Sequence, residues 1–285
     1  MRTMSGLTLL RRGARHCLGM ILGTFVLLAP MRAFAQEIGS VAKLGDAVGA
    51  SPRAIYLPAL QRSGGPVDVC EPVSTIPYGT RPASYPETDR PAQVHGDKNL
   101  ALRSYERTSG ALGLIDYGGG SDSRAPQLRY LFADQRGAHL SAVYRVHQWD
   151  WGCNCRGPLI TNPPVTLVGL VTSPGEPIYT PRSGYNIGEG YQALVLYATS
   201  ERITLKYTVE DNVVHGYTIH LEGVCVDPAL LALYRRCDAE GRQTLPALHG
   251  GEAIGRARTA ELGVAVRDAG TFMDPRSRKD WWQNP

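Results

Sequence analysis

The sequence lacks the short motifs through which many hydrolases and nucleotide enzymes declare themselves. No two of its seven histidines stand at the His-x-x-x-His spacing that brings two imidazoles onto one helical face for zinc. No Gly-x-Ser-x-Gly turn offers a nucleophile elbow, and no glycine loop is built to cradle phosphate. Charge is sparse at 20 % of residues, and no basic stripe interrupts it. Long apolar runs are also missing. The longest candidate, Cys17–Pro30, falls short of the roughly 20 residues a membrane-spanning helix needs.

That apolar run has a different meaning. Residues 1–35 carry Arg2, Arg11, Arg12, Arg15 and Arg32 and no Lys, Asp or Glu, and Ala33-Phe34-Ala35 closes the run. A basic start, a short apolar core and a small-x-small site describe a secretory signal peptide, so the expected mature N-terminus is Gln36. The full chain has 30 Lys and Arg against 26 Asp and Glu; without the five leader arginines the balance is 25 against 26. The basic surplus therefore belongs to the leader, and a nucleic-acid partner is excluded for want of a basic face. The expected location is exported, periplasmic or extracellular, with no integral membrane segment after processing.

Five cysteines follow the leader: Cys70, Cys153, Cys155, Cys225 and Cys237. An oxidising compartment makes disulfides the default, and the odd number leaves one thiol over. The Cys-Asn-Cys spacing reads as too tight for a comfortable bridge. The expected pairs are Cys225 with Cys237, and Cys70 with Cys153 or Cys155.

Eight of the twenty prolines lie between Ser51 and Pro91, so residues 36–91 read as an extended lead-in without regular structure. Beyond it the pattern is mainly β. Leu112–Tyr117, Leu140–Val146, Val165–Val171 and Ala193–Ala198 are strand candidates, and Val165–Val171 is apolar enough to be buried on both faces. Ile203, Leu205 and Tyr207 alternate with Arg202, Thr204 and Lys206, and Tyr217, Ile219 and Leu221 with Thr218 and His220. One short helix is expected near 228–237, with Asp227 as N-cap, Pro228 at its first position and basic residues near its end. The organisation expected is a lead-in, a β-rich part over 92–164, and a β-domain over 165–285.

Trp149-Asp150-Trp151 offers aromatic faces on which a sugar ring could stack, or a packed cross-strand cluster. Asp97, Asp122 and Asp150 are candidate carboxylates for glycan hydrolysis, for which spacing along the chain sets no separation.

The segment from Val165 onward carries a more specific pattern. Gly175-Glu-Pro-Ile-Tyr-Thr-Pro-Arg-Ser-Gly184, Tyr217-Thr-Ile-His-Leu221, Leu248-His-Gly-Gly-Glu-Ala-Ile-Gly255, Glu261-Leu-Gly-Val-Ala-Val-Arg267 and Met273-Asp-Pro275 follow one another in order. Together they resemble the lysostaphin-type zinc peptidases that cut peptidoglycan cross-links. That resemblance implies an antiparallel β-fold, the duplicated hybrid motif, over 165–285. It also exposes a loss. The family's three zinc ligands fall at Val165, Gly169 and Gly263, its other histidine of the last strand at Glu261, and only His220 remains at a functional position. Valine and glycine cannot coordinate zinc, which needs about three protein ligands and an open place for water.

The expectation is therefore an exported envelope protein that has lost its zinc chemistry, with no catalytic residue and no cofactor. Trp149, Asp150, Trp151, His220, Glu261 and Arg267 are its candidate binding residues, for a peptidoglycan fragment or an envelope protein. The alternatives are an active cell-wall hydrolase, using zinc on relocated ligands or a carboxylate pair, and a structural β-protein without a ligand.

Overall fold

The structure, a computed structural model, describes residues 70–86 and 89–283. The expected leader and most of the expected lead-in lie outside the described residues. The strands run β1 Gly79–Pro82, β2 Tyr105–Arg107, β3 Leu140–Asp150, β4 Cys155–Leu159, β5 Leu167–Val171, β6 Pro177–Tyr179, β7 Ala193–Ala198 and β8 Arg202–Lys206. They continue with β9 Tyr217–Glu222, β10 Val224–Val226, β11 Thr244–Leu248, β12 Ala253–Ala257, β13 Glu261–Asp268 and β14 Thr271–Met273. The helices are α1 Leu100–Arg103, α2 Pro228–Ala239 and α3 Arg278–Trp281. The fold is mainly antiparallel β, and α2 is the one described helix longer than four residues.

The main sheet has the order β1-β11-β7-β8-β9-β13-β5-β3-β2, with β14 on β13 and β4 on β3; β10, β12 and β6 form a second, small sheet. The first face of the main sheet carries the larger core. Val143, Val168, Leu170, Ile203, Leu205, Ile219, Leu221, Val264 and Val266 pack there against Ile178, Val224, Val226 and Ile254 of the small sheet. Leu230, Leu231 and Tyr234 of α2 and the indoles of Trp281 and Trp282 close the same core. Each such side chain contributes about 1.5–3 kcal/mol when fully buried.

Helix α2 starts where the sequence places it. The Asp227 carboxylate accepts from the backbone N–H groups of Ala229 (2.8 Å) and Leu230 (3.4 Å). Its other oxygen accepts from Val73 (2.7 Å) and Ser74 (3.2 Å), which ties the end of the lead-in to the helix start.

The second face of the sheet differs from a simple solvent face. Thr204, Lys206, Thr218 and His220 point away from the larger core, yet all four are buried. Residues 97–103 lie over this face: the Lys98 carbonyl accepts from Thr204 Oγ1, and Leu100 packs with Val146, Leu167, Ala265 and Phe272 in a separate small core. Leu167 on this side and Val168 and Leu170 on the other show β5 buried on both faces, as its apolar run requires.

Several expectations need correction. Leu112–Tyr117 is not a strand: Ile115 alone bridges to Ser277, exchanging backbone bonds with Arg276 and Arg278 (both 3.0 Å). Glycines at 110, 113 and 118–120 surround it and favour irregular backbone. Within the lead-in, Gly79–Pro82 forms an edge strand on β11, a place where a proline is tolerated at a strand's end. The division at 164/165 falls inside one sheet, because β3 before it pairs with β5 after it.

The disulfides differ as well. Cys225 bridges Cys70, and Cys153 bridges Cys155, leaving Cys237 as a buried free thiol. Cys225 and Cys237 do not meet because ten residues from Asp227 to Cys237 carry the chain about 15 Å along a helix, beyond the 4.4–6.8 Å between bridged Cα atoms. The tight bridge forms because Asn154, at φ 52°, takes the left-handed turn asparagine tolerates, with the flanking Cα atoms 5.2 Å apart. Cys70–Cys225 closes a span of 155 residues, worth about 5 kcal/mol by loop entropy. The disulfides are compatible with an exported protein. No described helix is long and apolar enough to cross a membrane.

Candidate functional site

Three groups of side chains gather the residues singled out by sequence, and they lie in different surroundings. The first sits where the resemblance places zinc. Gly169 on β5 and Gly263 on β13 are direct cross-strand partners. An added Cβ at Gly169 would collide with the Glu261 carboxylate, and one at Gly263 would come 3.1 Å from the Glu222 Cβ. Two glutamates thus occupy the space that the paired glycines leave. Glu261 accepts from Ser141 Oγ (2.5 Å) and Tyr144 Oη (2.7 Å). Glu222 accepts from Arg202 Nε (3.0 Å). Burial raises the Glu222 pKa above its ordinary value, with Arg202 opposing the rise. Burial and then Glu261 push the Tyr144 hydroxyl up to about 12. Val165 lies in the larger core, on the other side of the sheet.

The second group surrounds His220. Its ring is 1 % exposed, with Nδ1 3.0 Å from Thr204 Oγ1, and it stacks on Phe272. Thr204 Oγ1 in turn donates to the Lys98 carbonyl (2.7 Å). Arg267, two residues beyond Ala265 opposite His220, is also buried. Asp97 Oδ1 accepts from both Arg267 Nη1 (2.7 Å) and Arg103 Nη2 (2.5 Å). Burial alone would raise the Asp97 pKa, but the Arg267 and Arg103 guanidinium groups outweigh it and hold the carboxyl below its usual value. The same two cations, after burial, depress the His220 pKa well below the ordinary imidazole range. The imidazole is thereby kept neutral and fixed in position. Next to it Lys206, opposite Thr218, is fully buried, and burial lowers its pKa to about 8. Alongside, Lys98 and Arg242 share Asp211, at 3.0 and 2.7 Å.

The third group is at the tip of the β3–β4 hairpin. Trp151 is 46 % exposed. Its ring meets Trp149 edge-on at 6.4 Å and His95 at 5.2 Å, and the Arg90 guanidinium lies 4.9 Å from its centre. Asn154, between the two bridged cysteines, accepts from Trp149 Nε1 (3.3 Å) and from Arg90 Nη1. Asp150 is spent locally, its Oδ1 accepting from the Gly152 N–H (2.8 Å).

The six candidate residues are therefore split. Trp149, Asp150 and Trp151 are together at the tip; His220 and Arg267 are together under residues 97–103; Glu261 is half-buried beside Ser141 and Tyr144. Asp97, Asp122 and Asp150 do not converge: Asp97 is clamped by arginines, and Asp122 accepts from Tyr185 (2.5 Å) and Tyr217 (3.2 Å). Among the described residues no three His, Cys, Asp or Glu side chains are grouped as a metal site requires. Cavities of about 320 and 310 Å³ open elsewhere, beside Trp281 and beside Tyr234.

Sequence reasoning missed Glu222, Ser141, Tyr144, Asp97 as a clamp, and Arg103. Glu222 carried one usable signal: it is two residues from His220, on the same face of a strand. No family model, curated protein or solved structure matches the chain.

Proposed function

We propose that this is an exported cell-envelope protein without cell-wall hydrolase activity that binds glycan strands of the cell wall through the Trp149–Trp151 tip, on a β-domain related to lysostaphin-type peptidases whose zinc ligands have been replaced. The observation that carries the reading is the exposure of Trp151 in a fixed setting. An indole held by Arg90, His95 and Trp149 yet open to solvent is costly as surface and useful as a stacking face for a sugar ring. Arg90 beside it supplies hydrogen-bond donors for hydroxyl or carboxylate groups of the sugar. The old catalytic surface offers no comparable opening, since His220 and Arg267 are buried, with Phe272 against the imidazole and Asp97 and Arg103 over the guanidinium.

Titration of soluble peptidoglycan fragments against intrinsic tryptophan fluorescence tests this. Saturable quenching in the natural protein, lost in Trp151→Ala, is the expected result; identical titrations for both proteins refute the site.

A second reading is favoured by one observation. Glu222 and Glu261 lie over paired glycines in unlike environments, one pushed toward the protonated form by burial and one held by two hydroxyls. Glycoside hydrolysis uses two carboxylates held in unlike surroundings. Release of reducing sugar ends from glycan strands, abolished in Glu222→Gln, would establish this reading in place of the first.

A further inference from the structure

The Cys153–Cys155 bridge differs from Cys70–Cys225 in exposure and in span. Both of its residues are exposed, whereas Cys70 is half-buried and Cys225 is fully buried in the small sheet. It links positions two apart, at the end of a hairpin already closed by backbone pairing of Asp150 with Cys155 and Trp149 with Arg156. The bridge therefore restrains little that the ladder does not restrain already. Charge around it is mixed: the Arg90 guanidinium donates to Asn154, the residue between the sulfurs, but is also paired with Asp89 (2.8 Å), and the Asp150 carboxylate sits in the same turn. The Trp149 and Trp151 rings alongside give an incoming polypeptide an apolar surface. Exposed disulfides of this kind are the exchangeable ones, while buried bridges resist reduction.

We propose that Cys153–Cys155 is an exchange-active disulfide that oxidises thiol pairs of other exported polypeptides. A cysteine thiolate of the partner attacks Sγ of Cys153. The S–S bond breaks, its electron pair leaves on Cys155 Sγ as a thiolate, and a mixed disulfide joins Cys153 to the partner. A second partner thiolate attacks its own sulfur in that mixed disulfide and expels Cys153 as a thiolate. The partner has lost two electrons and two protons and gained a disulfide; Cys153 and Cys155 have become a dithiol. A disulfide-bearing donor protein restores the bridge by the same steps in reverse.

The experiment uses the full oxidised protein and a synthetic peptide with two cysteines. In graded mixtures of reduced and oxidised glutathione, alkylation and peptide mapping follow each bridge separately. The expected result is that Cys153 and Cys155 become alkylated while Cys70–Cys225 stays intact, with reduction about tenfold or more faster. The dithiol peptide should also be oxidised stoichiometrically, and a Cys153→Ser, Cys155→Ser variant should leave it reduced. Simultaneous reduction of both bridges, or a dithiol peptide that stays reduced beside the oxidised protein, overturns the proposal.

Discussion

Replacing Asp97 by Asn keeps the shape of the clamp and removes the charge that Arg103 and Arg267 share. Both guanidinium groups are at least nine-tenths buried, and so is the His220 ring beneath them. Breaking a buried pair from one side costs about 3–5 kcal/mol, because a charge is left without compensation. The lower end applies here, since Arg267 also donates to Gly270 O (2.9 Å) and Arg103 to Gly96 O (2.7 Å) and His147 O (3.2 Å). A loss of about 3 kcal/mol lowers the melting temperature of a chain this size by about 6–12 °C. Urea denaturation at pH 7 measures it. The acid limb carries a second signature. The folded Asp97 pKa lies below its unfolded value, so its stabilisation is complete above the unfolded pKa and is lost as pH falls through the folded one. The natural protein should therefore lose stability below about pH 4 more steeply than the variant. A cost under about 1 kcal/mol, with unchanged acid dependence, would refute the claim that residues 97–103 are locked onto the sheet by charge.

His220 gives a test of the same sign at higher pH: its folded pKa is depressed, so the unfolded chain takes up a proton below about pH 6.5 and the folded chain does not. Stability should fall as pH drops below 6.5, and His220→Gln should flatten that fall in denaturant titrations at stepped pH. Gly255→Ala places a methyl against the Cys225 backbone carbonyl, an overpacking that costs about 1–3 kcal/mol in thermal unfolding; a neutral result would show that the small sheet yields. Asp227→Ala removes the helix cap and the anchor for Val73 and Ser74, with an expected loss of about 1–2 kcal/mol and faster proteolysis near residue 73.

Alternation in β8 and β9 assigned Ile203, Leu205, Ile219 and Leu221 to the larger core correctly, and the Asp227-Pro228 pair marked the start of α2. The opposite face was not readable in the same way. A strand that alternates apolar with Thr, Lys and His reads as half-exposed, and nothing local reveals that a segment a hundred residues earlier will cover it. Asp97 reads as an ordinary surface carboxylate until Arg103 and Arg267 are brought to it. Cysteine spacing failed for a similar reason: the eleven positions between Cys225 and Cys237 look short, but most of them form a rigid helix. The pairing of Gly169 with Gly263 is also long-range, and it alone shows why Glu222 and Glu261 fit where larger neighbours would clash.

The most direct test of glycan binding without catalysis is co-sedimentation with purified cell-wall sacculi, with the supernatant assayed for released fragments. The natural protein should pellet with the sacculi, Trp151→Ala should remain in solution at equal stability, and neither should release soluble fragments, with or without added zinc. Fragment release by the natural protein, or equal sedimentation of the variant, would contradict it.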